Sequence, residues 1–395
     1  MAPRHDAARA AARFRQMTLA ADAAPSPFRA VAVSIGLIVV AAALNGATPA
    51  ELRAQVQAQL PAVPSQRADT GAIAGVVVAR ESGVGLAYSI VGVPALGTEK
   101  LTNERGEFTV RDLRSGSIEL VVRHLGYSPV RVSRNVRGGV IDTVRVELTK
   151  LATQLSAVQV RAARVCTNPG PPKAGADPAF AAVFEQLEQN ADQYRLVSAT
   201  YPFVYDMERR SSIRYVSGEV LTQRIDTVRI NTGVAWKYAP GSVVDRTEDP
   251  HNRQVLFNIP SLIHFADPVF LANHCFFLGG RDTADGAPAL RIDFLAASKL
   301  KVPDVDGSMY LDPDTYQIRR SVLRLTKIPP ETPEISSVTT TTEFRTIVPW
   351  ISIVSSISSV HRLSTDMTRP VLPYAAYETQ RLLGVVFLKE KPGGR

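Results

Sequence analysis

The sequence predicts a mainly β protein of two unlike domains: a small β-sandwich, then a larger curved antiparallel β-sheet with one helix. Three observations predict it. Between Gly71 and Lys150, short β-prone runs recur at about 8–12-residue spacing, divided by Gly, Pro, Asn and Ser, the spacing of a sandwich rather than of βαβ units. Residues 179–196 show helical periodicity. Beyond them the chain is strand-rich again, in runs long enough to form hairpins. At 395 residues, 45% hydrophobic and 21% charged, the chain is globular in composition and long enough for two cores.

The first element is the apolar run Ala30–Leu44 inside residues 28–50, too short for a comfortable membrane span and suited to a signal-peptide core. Arg4, Arg9, Arg13, Arg15 and Arg29 supply the positive side, and the first fifty residues hold five Arg against two Asp. Export is expected, with cleavage near Ala47, Ala50 or Ala58; an uncleaved anchor is the alternative and then the only membrane contact. Met1 and Met17 both remain as starts. Residues 51–70 are Gln-, Ala- and Pro-rich and read as a linker.

The sandwich is expected over 71–150. In TNERGEFTV (102–110) the Asn-Glu-Arg-Gly cluster is a turn, Gly106 supplies positive φ, and Phe108 is the inward anchor of the next strand. Arg114–Gly116 is another turn. Gly126 and Tyr127 end a strand and cap the sandwich. Along 140–148, Val140, Val144, Val146 and Leu148 share one face, which Asp142 breaks.

Gly75-Val76-Val77, Gly83, TNERGEFTVRDLRSG and VVRHLGY together resemble the carboxypeptidase regulatory-like domain. The resemblance covers roughly 70–150 and implies a transthyretin-like sandwich of the kind found in bacterial outer-membrane proteins, including TonB-dependent receptors. Residues 86–97 depart from the family's usual opening of the second strand. Residues 150–165 are similar to the segment that leads into the plug of such receptors. About 230 residues remain after it, too few for a plug and a 22-stranded barrel.

Residues 151–178 read as a linker and hinge, with a Pro/Gly-rich stretch from Cys166, and the second domain as 179–390. Asp177-Pro178 signals a helix start; Phe180, Val183, Phe184, Leu187 and Ala191 mark its apolar face. GSMYLDPDTYQIRRSVLRL is a strand, an Asp-Pro-Asp-Thr turn and a strand. Such long hairpins resemble, in shape alone, the open half-barrel of periplasmic lipoprotein carriers.

The chemistry motifs are sparse. No H-E-x-x-H or H-x-x-E occurs, and His264–Asp267 and His274-Cys275 lack zinc-ligand spacing. Asp304, Asp306, Asp312 and Asp314 match a calcium loop only loosely, lacking a ligand before Gly307 and the closing Glu. There is no G-x-S-x-G elbow, P-loop or dinucleotide fingerprint. The net charge of +8 is spread without a Lys/Arg run, which argues against nucleic acid. No catalytic residue, cofactor or metal is expected. The two cysteines, Cys166 and Cys275, are expected to pair in an oxidising compartment. Trp236, Tyr238, Phe257, Phe265, Phe270, Phe276 and Phe277 are the candidates for a ligand groove on the concave face.

The expected function is an exported, non-enzymatic interaction or carrier protein of the periplasm or outer membrane. Its partner would be an outer-membrane protein or an apolar or glycan ligand. An accessory of TonB-linked transport and a hydrolase with an unrecognised site are the alternatives.

Overall fold

The computed structural model describes residues 70–151, 164–215, 217–232, 236–246, 255–330, 332, 335–348, 350–363, 374–389 and 391–392. Residues 1–50, expected to direct export, the linker to 69 and residues 152–163 of the hinge lie outside the described residues.

The first domain is a sandwich of two sheets. One contains β1 (Thr70–Ala79), β4 (Glu107–Arg114) and β7 (Ile141–Leu148), in the order β4-β1-β7. The other contains β2 (Ile90–Val93), β3 (Thr98–Leu101), β5 (Gly116–Arg123) and β6 (Val130–Val136), in the order β3-β2-β5-β6. The spacing predicts antiparallel pairing, but β1 and β7 pair in parallel, with Gly75 opposite Val144. The first and last strands of the domain lie side by side and run the same way, which a hairpin cannot produce.

Phe108 is buried between the sheets with Ile73, Val77, Leu113, Leu120 and Val146. The turn before it forms for local reasons. Asn103 Oδ1 accepts the backbone N–H of Arg105 and of Glu107, each at 2.9 Å. Gly106 has φ +79°, and a Cβ there would sit 2.4 Å from the Val77 carbonyl oxygen. Only glycine meets both demands. Along β7, Val144, Val146 and Leu148 are buried, while Val140 and Ile141 are exposed at its start.

In the second domain, helix α1 (Pro178–Thr200) begins where Asp177 Oδ1 accepts the Phe180 N–H at 2.9 Å and Pro178 takes the first helical position. Its face of Phe180, Val183, Phe184, Leu187 and Ala191 is buried. A nine-stranded sheet follows. Its strands are β8 (Phe203–Tyr215), β9 (Val220–Asn231), β12 (His274–Ala284), β13 (Ala287–Ala296), β14 (Val305–Leu311), β15 (Ile318–Leu325), β16 (Ile335–Val348), β17 (Ile351–Leu363) and β18 (Tyr374–Phe387). The order is β12-β13-β14-β15-β16-β17-β18-β8-β9. Every neighbouring pair is antiparallel, and β12 and β9 are edges, so the sheet is open. A hairpin of β10 (Val244–Arg246) and β11 (Val255–Phe257) and the one-turn helix α2 (Pro268–Leu271) complete the domain.

The two domains touch through α1 and through Tyr88 and His124 of the sandwich, which meet the large sheet and Trp350. Its apolar face meets the large sheet. A second face, Gln186, Gln189, Asn190 and Gln193, is equally buried and finds partners on two sides, except that Gln193 Oε1 has none among the described residues. Gln186 Oε1 accepts the Gly126 N–H, and Gln193 Nε2 donates to the Tyr88 carbonyl at 3.2 Å. With its amide oxygen toward the sandwich, Gln189 accepts the N–H groups of His124 and Leu125 at 2.9 Å each. Asn190 instead grips the β14–β15 turn, donating to the Tyr316 carbonyl at 2.8 Å and accepting the Ile318 N–H at 3.0 Å. Tyr88 of the sandwich, at φ +57°, packs into a cluster of the second domain with Phe203, Met207, Ile351 and Leu382.

Candidate functional site

The register of the large sheet shows how its chemistry changes from one edge to the other. One row across the strands reads Phe276, Phe294, Gly307, Leu323, Thr340, Ser359, Glu378, Ser211, Arg224. The next row on the same face reads Ile292, Met309, Ser321, Thr342, Ile357, Gln380, Arg209, Asp226. The face is mostly apolar from β12 to β14 and mostly polar from β16 to β9, with Leu323 and Ser321 both on β15 and Ile357 of β17 interrupting the polar side.

The polar half is buried. Ser359 is 0% and Gln380 3% exposed, and Thr340, His361, Glu378 and Arg209 are buried with them. Buried polar groups need partners, and a network supplies most of them. The Thr340 and Ser359 hydroxyls lie 2.8 Å apart, and Ser359 Oγ lies 3.2 Å from His361 Nε2. Gln380 Nε2 donates to Glu378 Oε1 at 2.9 Å, and Ser211 Oγ to Glu378 Oε2 at 3.4 Å. Arg209 holds Asp226 with two bonds, of 2.9 and 2.8 Å. Gln380 Oε1 has no partner among the described residues.

Electrostatics keep this wall close to neutral. Burial pushes Glu378 above the usual carboxylate range, against the hydrogen bond from Gln380. Burial lowers His361 to about 4, so its ring is uncharged at neutral pH. The hydrogen bonds from Arg209 hold Asp226 below its ordinary value. The wall therefore offers hydroxyls, a carboxamide, the Glu378 carboxyl and a neutral imidazole, beside the Arg209–Asp226 ion pair. Such a surface suits a polar ligand and solvates an acyl chain poorly.

One sequence-predicted aromatic residue borders this wall: the Phe257 ring lies 5.5 Å from that of His361. Tyr238, Phe257, Phe265, Phe270 and Phe276 are core residues, which corrects the expectation of an open groove lined by them. Their rings pack against one another and against α1: Tyr238 to Phe270 at 5.0 Å, Phe265 to Phe270 at 5.3 Å, and Phe184 to Phe276 at 4.7 Å between centroids. The helix occupies the face that the groove would have used. Trp236 is half-buried at the margin of this core, its ring 4.7 Å from His264. Phe277 is separate, beside the cysteines, with the Arg164 guanidinium 4.9 Å from its centroid.

Cys166 and Cys275 form a disulfide, with Cα atoms 5.4 Å apart. It ties the hinge to β12, and a hydrogen bond from Gly170 N to the His274 carbonyl reinforces the tie. The four Asp of 304–314 do not converge. Asp304 accepts from the Tyr238 hydroxyl at 2.6 Å, Asp306 from Ala296 N at 2.8 Å, and Asp312 from the N–H groups of its own turn. Among the described residues no group of three or more His, Cys, Asp or Glu is placed to hold a metal ion. His264 and His274 are buried and point their ring nitrogens at backbone oxygens, Trp236 O and Val305 O among them.

Sequence reading missed the polar wall. Its signal is partial: SSVTTTTEF, SISSVHRL and YETQ set Thr340, Thr342, Ser359, His361, Glu378 and Gln380 on one face, but Val338, Phe344, Ile357 and Leu363 share that face and read as core.

Several solved structures are similar. A LolA superfamily protein from Nitrosomonas europaea is 9% identical, covering 53% of this chain and 94% of its own, with a TM-score of 0.28. An outer-membrane lipoprotein-sorting protein domain from Vibrio parahaemolyticus, described as putative, is 7% identical, covering 53% and 95%, with a TM-score of 0.28. The minor pilin GBS52 of Streptococcus agalactiae is 15% identical, with a TM-score of 0.19; the match covers 23% of this chain and 49% of the pilin. No curated protein matches the sequence. Residues 73–160 match the family profile of the CarboxypepD_reg-like domain, and the sandwich of this chain is a domain of that family.

Proposed function

We propose that the protein is an exported, non-enzymatic carrier or interaction protein of the periplasm or outer membrane, in which the open sheet holds a polar ligand and the CarboxypepD_reg-like sandwich is fixed to it. The carrying observation is the change of the inner face from mostly apolar to mostly polar across β15 and β16, with Gln380 Oε1, which has no partner among the described residues, on the polar side. A carrier of acyl chains needs an apolar wall, and here the apolar half is already filled by α1. Of the two ligand classes the sequence suggests, the polar one is favoured.

Export is supported by the N-terminal apolar run and by the disulfide, which suits an oxidising compartment. An outer-membrane partner, including a role beside TonB-linked transport, rests on the sequence of 150–165 alone. Co-purification of a receptor with the full chain tests that role.

Thermal shift with matched panels of polar compounds (saccharides, amino acids, short peptides) and of acyl lipids tests the reading. A polar compound is expected to raise the melting temperature, and Gln380→Leu to abolish that rise. Stabilisation by acyl lipids alone contradicts it. Peptide or ester hydrolysis that survives purification and is lost in Ser359→Ala would favour the hydrolase instead.

A further inference from the structure

The open sheet ends in two edges that are treated differently. Along β12 the hinge lies beside the strand: Gly170 bridges Cys275 in parallel, and the Gly170 N–H donates to the His274 carbonyl at 2.9 Å. Further along, β12 carries a bulge between Leu278 and Gly280. A covering segment and a bulge are common ways of blocking an edge. β9 has neither over its central run. Its pairing with β8 is regular from Thr222 to Asn231, and the one irregularity lies before Thr222. Residues 222–228 read Thr-Gln-Arg-Ile-Asp-Thr-Val, with no Pro, Gly or Lys. Most of them are exposed, Ile225 at 53%. Among the described residues no strand and no backbone hydrogen bond lies on the outer side of this run. Every second residue therefore turns an N–H and a C=O outward, a template for one more strand.

The charges select which strand fits. A second copy of β9, antiparallel about a two-fold axis, sets residue against residue on the same face, so the axis passes beside a single residue. With the axis at Arg224, two Arg oppose each other; with the axis at Asp226, two Asp do. With the axis at Ile225, Arg224 lies opposite Asp226 of the second copy, Gln223 opposite Thr227, and Thr222 opposite Val228. Opposite charges directly across a strand pair stabilise it, and like charges destabilise it. Axes at Gln223 or Thr227 set neither Arg224 nor Asp226 against an opposite charge. Arg224 already lies 2.9 Å from Asp226 in its own strand, so the four charges alternate around the axis at Ile225. On the other face Ile225 meets its own copy, which covers an apolar side chain that a single chain leaves in water. Either set of alternate residues maps onto itself about this axis, so the backbone bonds form whichever set points outward.

We propose that β9 is a self-association edge: two copies of this chain pair antiparallel over residues 222–228 about a two-fold axis at Ile225, making one sheet continuous across both. A lone strand pair is small beside a standard interface of about 1,200–2,000 Å², so the dimer is expected to depend on concentration. The pairing is independent of the ligand reading, because Gln223 and Ile225 lie on the face opposite to Arg209, Asp226 and Gln380.

The test uses the full chain with its native disulfide. Sedimentation velocity over a range of concentrations should show a monomer–dimer equilibrium for the wild type. Ile225→Lys puts two like charges at the axis from an exposed position, and should weaken association about tenfold or more with an unchanged circular dichroism spectrum. Crosslinking reads the register. Directly opposed Cα atoms lie about 4.5–5.5 Å apart, inside the disulfide range of about 4.4–6.8 Å, so Ile225→Cys should oxidise to a covalent dimer. Gln223→Cys should not, because residue 223 of one copy lies four residues along from residue 223 of the other, about 13 Å away. A wild type that stays monomeric throughout, leaving the edge to a strand of another protein, overturns the proposal. So does an Ile225→Cys variant that crosslinks no faster than Gln223→Cys. A dimer left intact by Ile225→Lys would put the contact on another surface and likewise overturn it. If Ile225→Lys fails to fold, the crosslinking pair decides.

Discussion

Gln186 Oε1 accepts the backbone N–H of Gly126 at 2.7 Å, joining the helix of one domain to a loop of the other. Gln186, Gln189, Asn190 and Gln193 fall at i, i+3, i+4 and i+7, so they form one stripe of α1. Burying four carboxamides is costly unless each is bonded, and three of the four meet backbone groups of the sandwich. The net gain per bond is only about 1 kcal/mol. The stripe adds directional bonds to the docking, and Tyr88 adds buried aromatic surface, though its hydroxyl has no partner among the described residues.

Gln186→Ala is expected to destabilise by about 1–3 kcal/mol, because it strands the Gly126 N–H. Chemical denaturation of the full chain measures it. Gln189→Ala should act similarly, through the N–H groups of His124 and Leu125. A pair of silent substitutions would mean that the domains are not held by this stripe.

Phe108→Ala in the sandwich is expected to cost about 3–5 kcal/mol, the range for truncating a buried phenylalanine. Gly106→Val should also destabilise, since its Cβ would meet the Val77 carbonyl at a strained φ. Melting of both variants checks this, and wild-type stability in either refutes that role for the residue.

The disulfide spans 109 residues of sequence. Chain entropy gives it an upper value of about 4–5 kcal/mol. Reduction, or the paired Cys166→Ser and Cys275→Ser substitution, should lower the denaturation midpoint by a smaller but clear amount. Thiol titration of the denatured, unreduced protein should find none free; two free thiols would contradict the pairing.

The legible part of the fold was the part written in strong local signals. Asp177-Pro178, the apolar helix face, the TNERG turn and the Asp-Pro-Asp-Thr turn each carry their own chemistry, and each appears where the sequence places it. The parallel β1–β7 pair was not legible, because strand direction across a domain is a property of topology rather than of spacing. The glutamine stripe was passed over because Gln at helical spacing usually faces water. The aromatic residues misled for a related reason: aromatic content fits a core and a groove equally well, and only the position of α1 decides between them. The Asp285-Gly286 tip carries a strong hairpin signal of its own, both residues having positive φ.

Glu188 gives a pH-dependent test. Burial, then the neighbouring Asp192 and Glu185, push it from an ordinary 4.5 up to about 7. The fold therefore binds this proton more tightly than the unfolded chain does. Its contribution is fully present below about pH 4.5 and is lost as pH rises through about 7. Glu188→Gln should accordingly be the more stable protein at pH 8, by about 1 kcal/mol after allowance for solvent, with the advantage fading toward pH 4. A difference independent of pH would contradict this assignment.

Native mass spectrometry of the protein purified from its exported fraction tests the central claim most directly. The account predicts that any ligand retained in the gas phase is a polar compound, displaced in Gln380→Leu, the wall residue whose amide oxygen lacks a partner among the described residues. A phospholipid or another acyl-chain adduct, held equally well by the wild type and by Gln380→Leu, would contradict it.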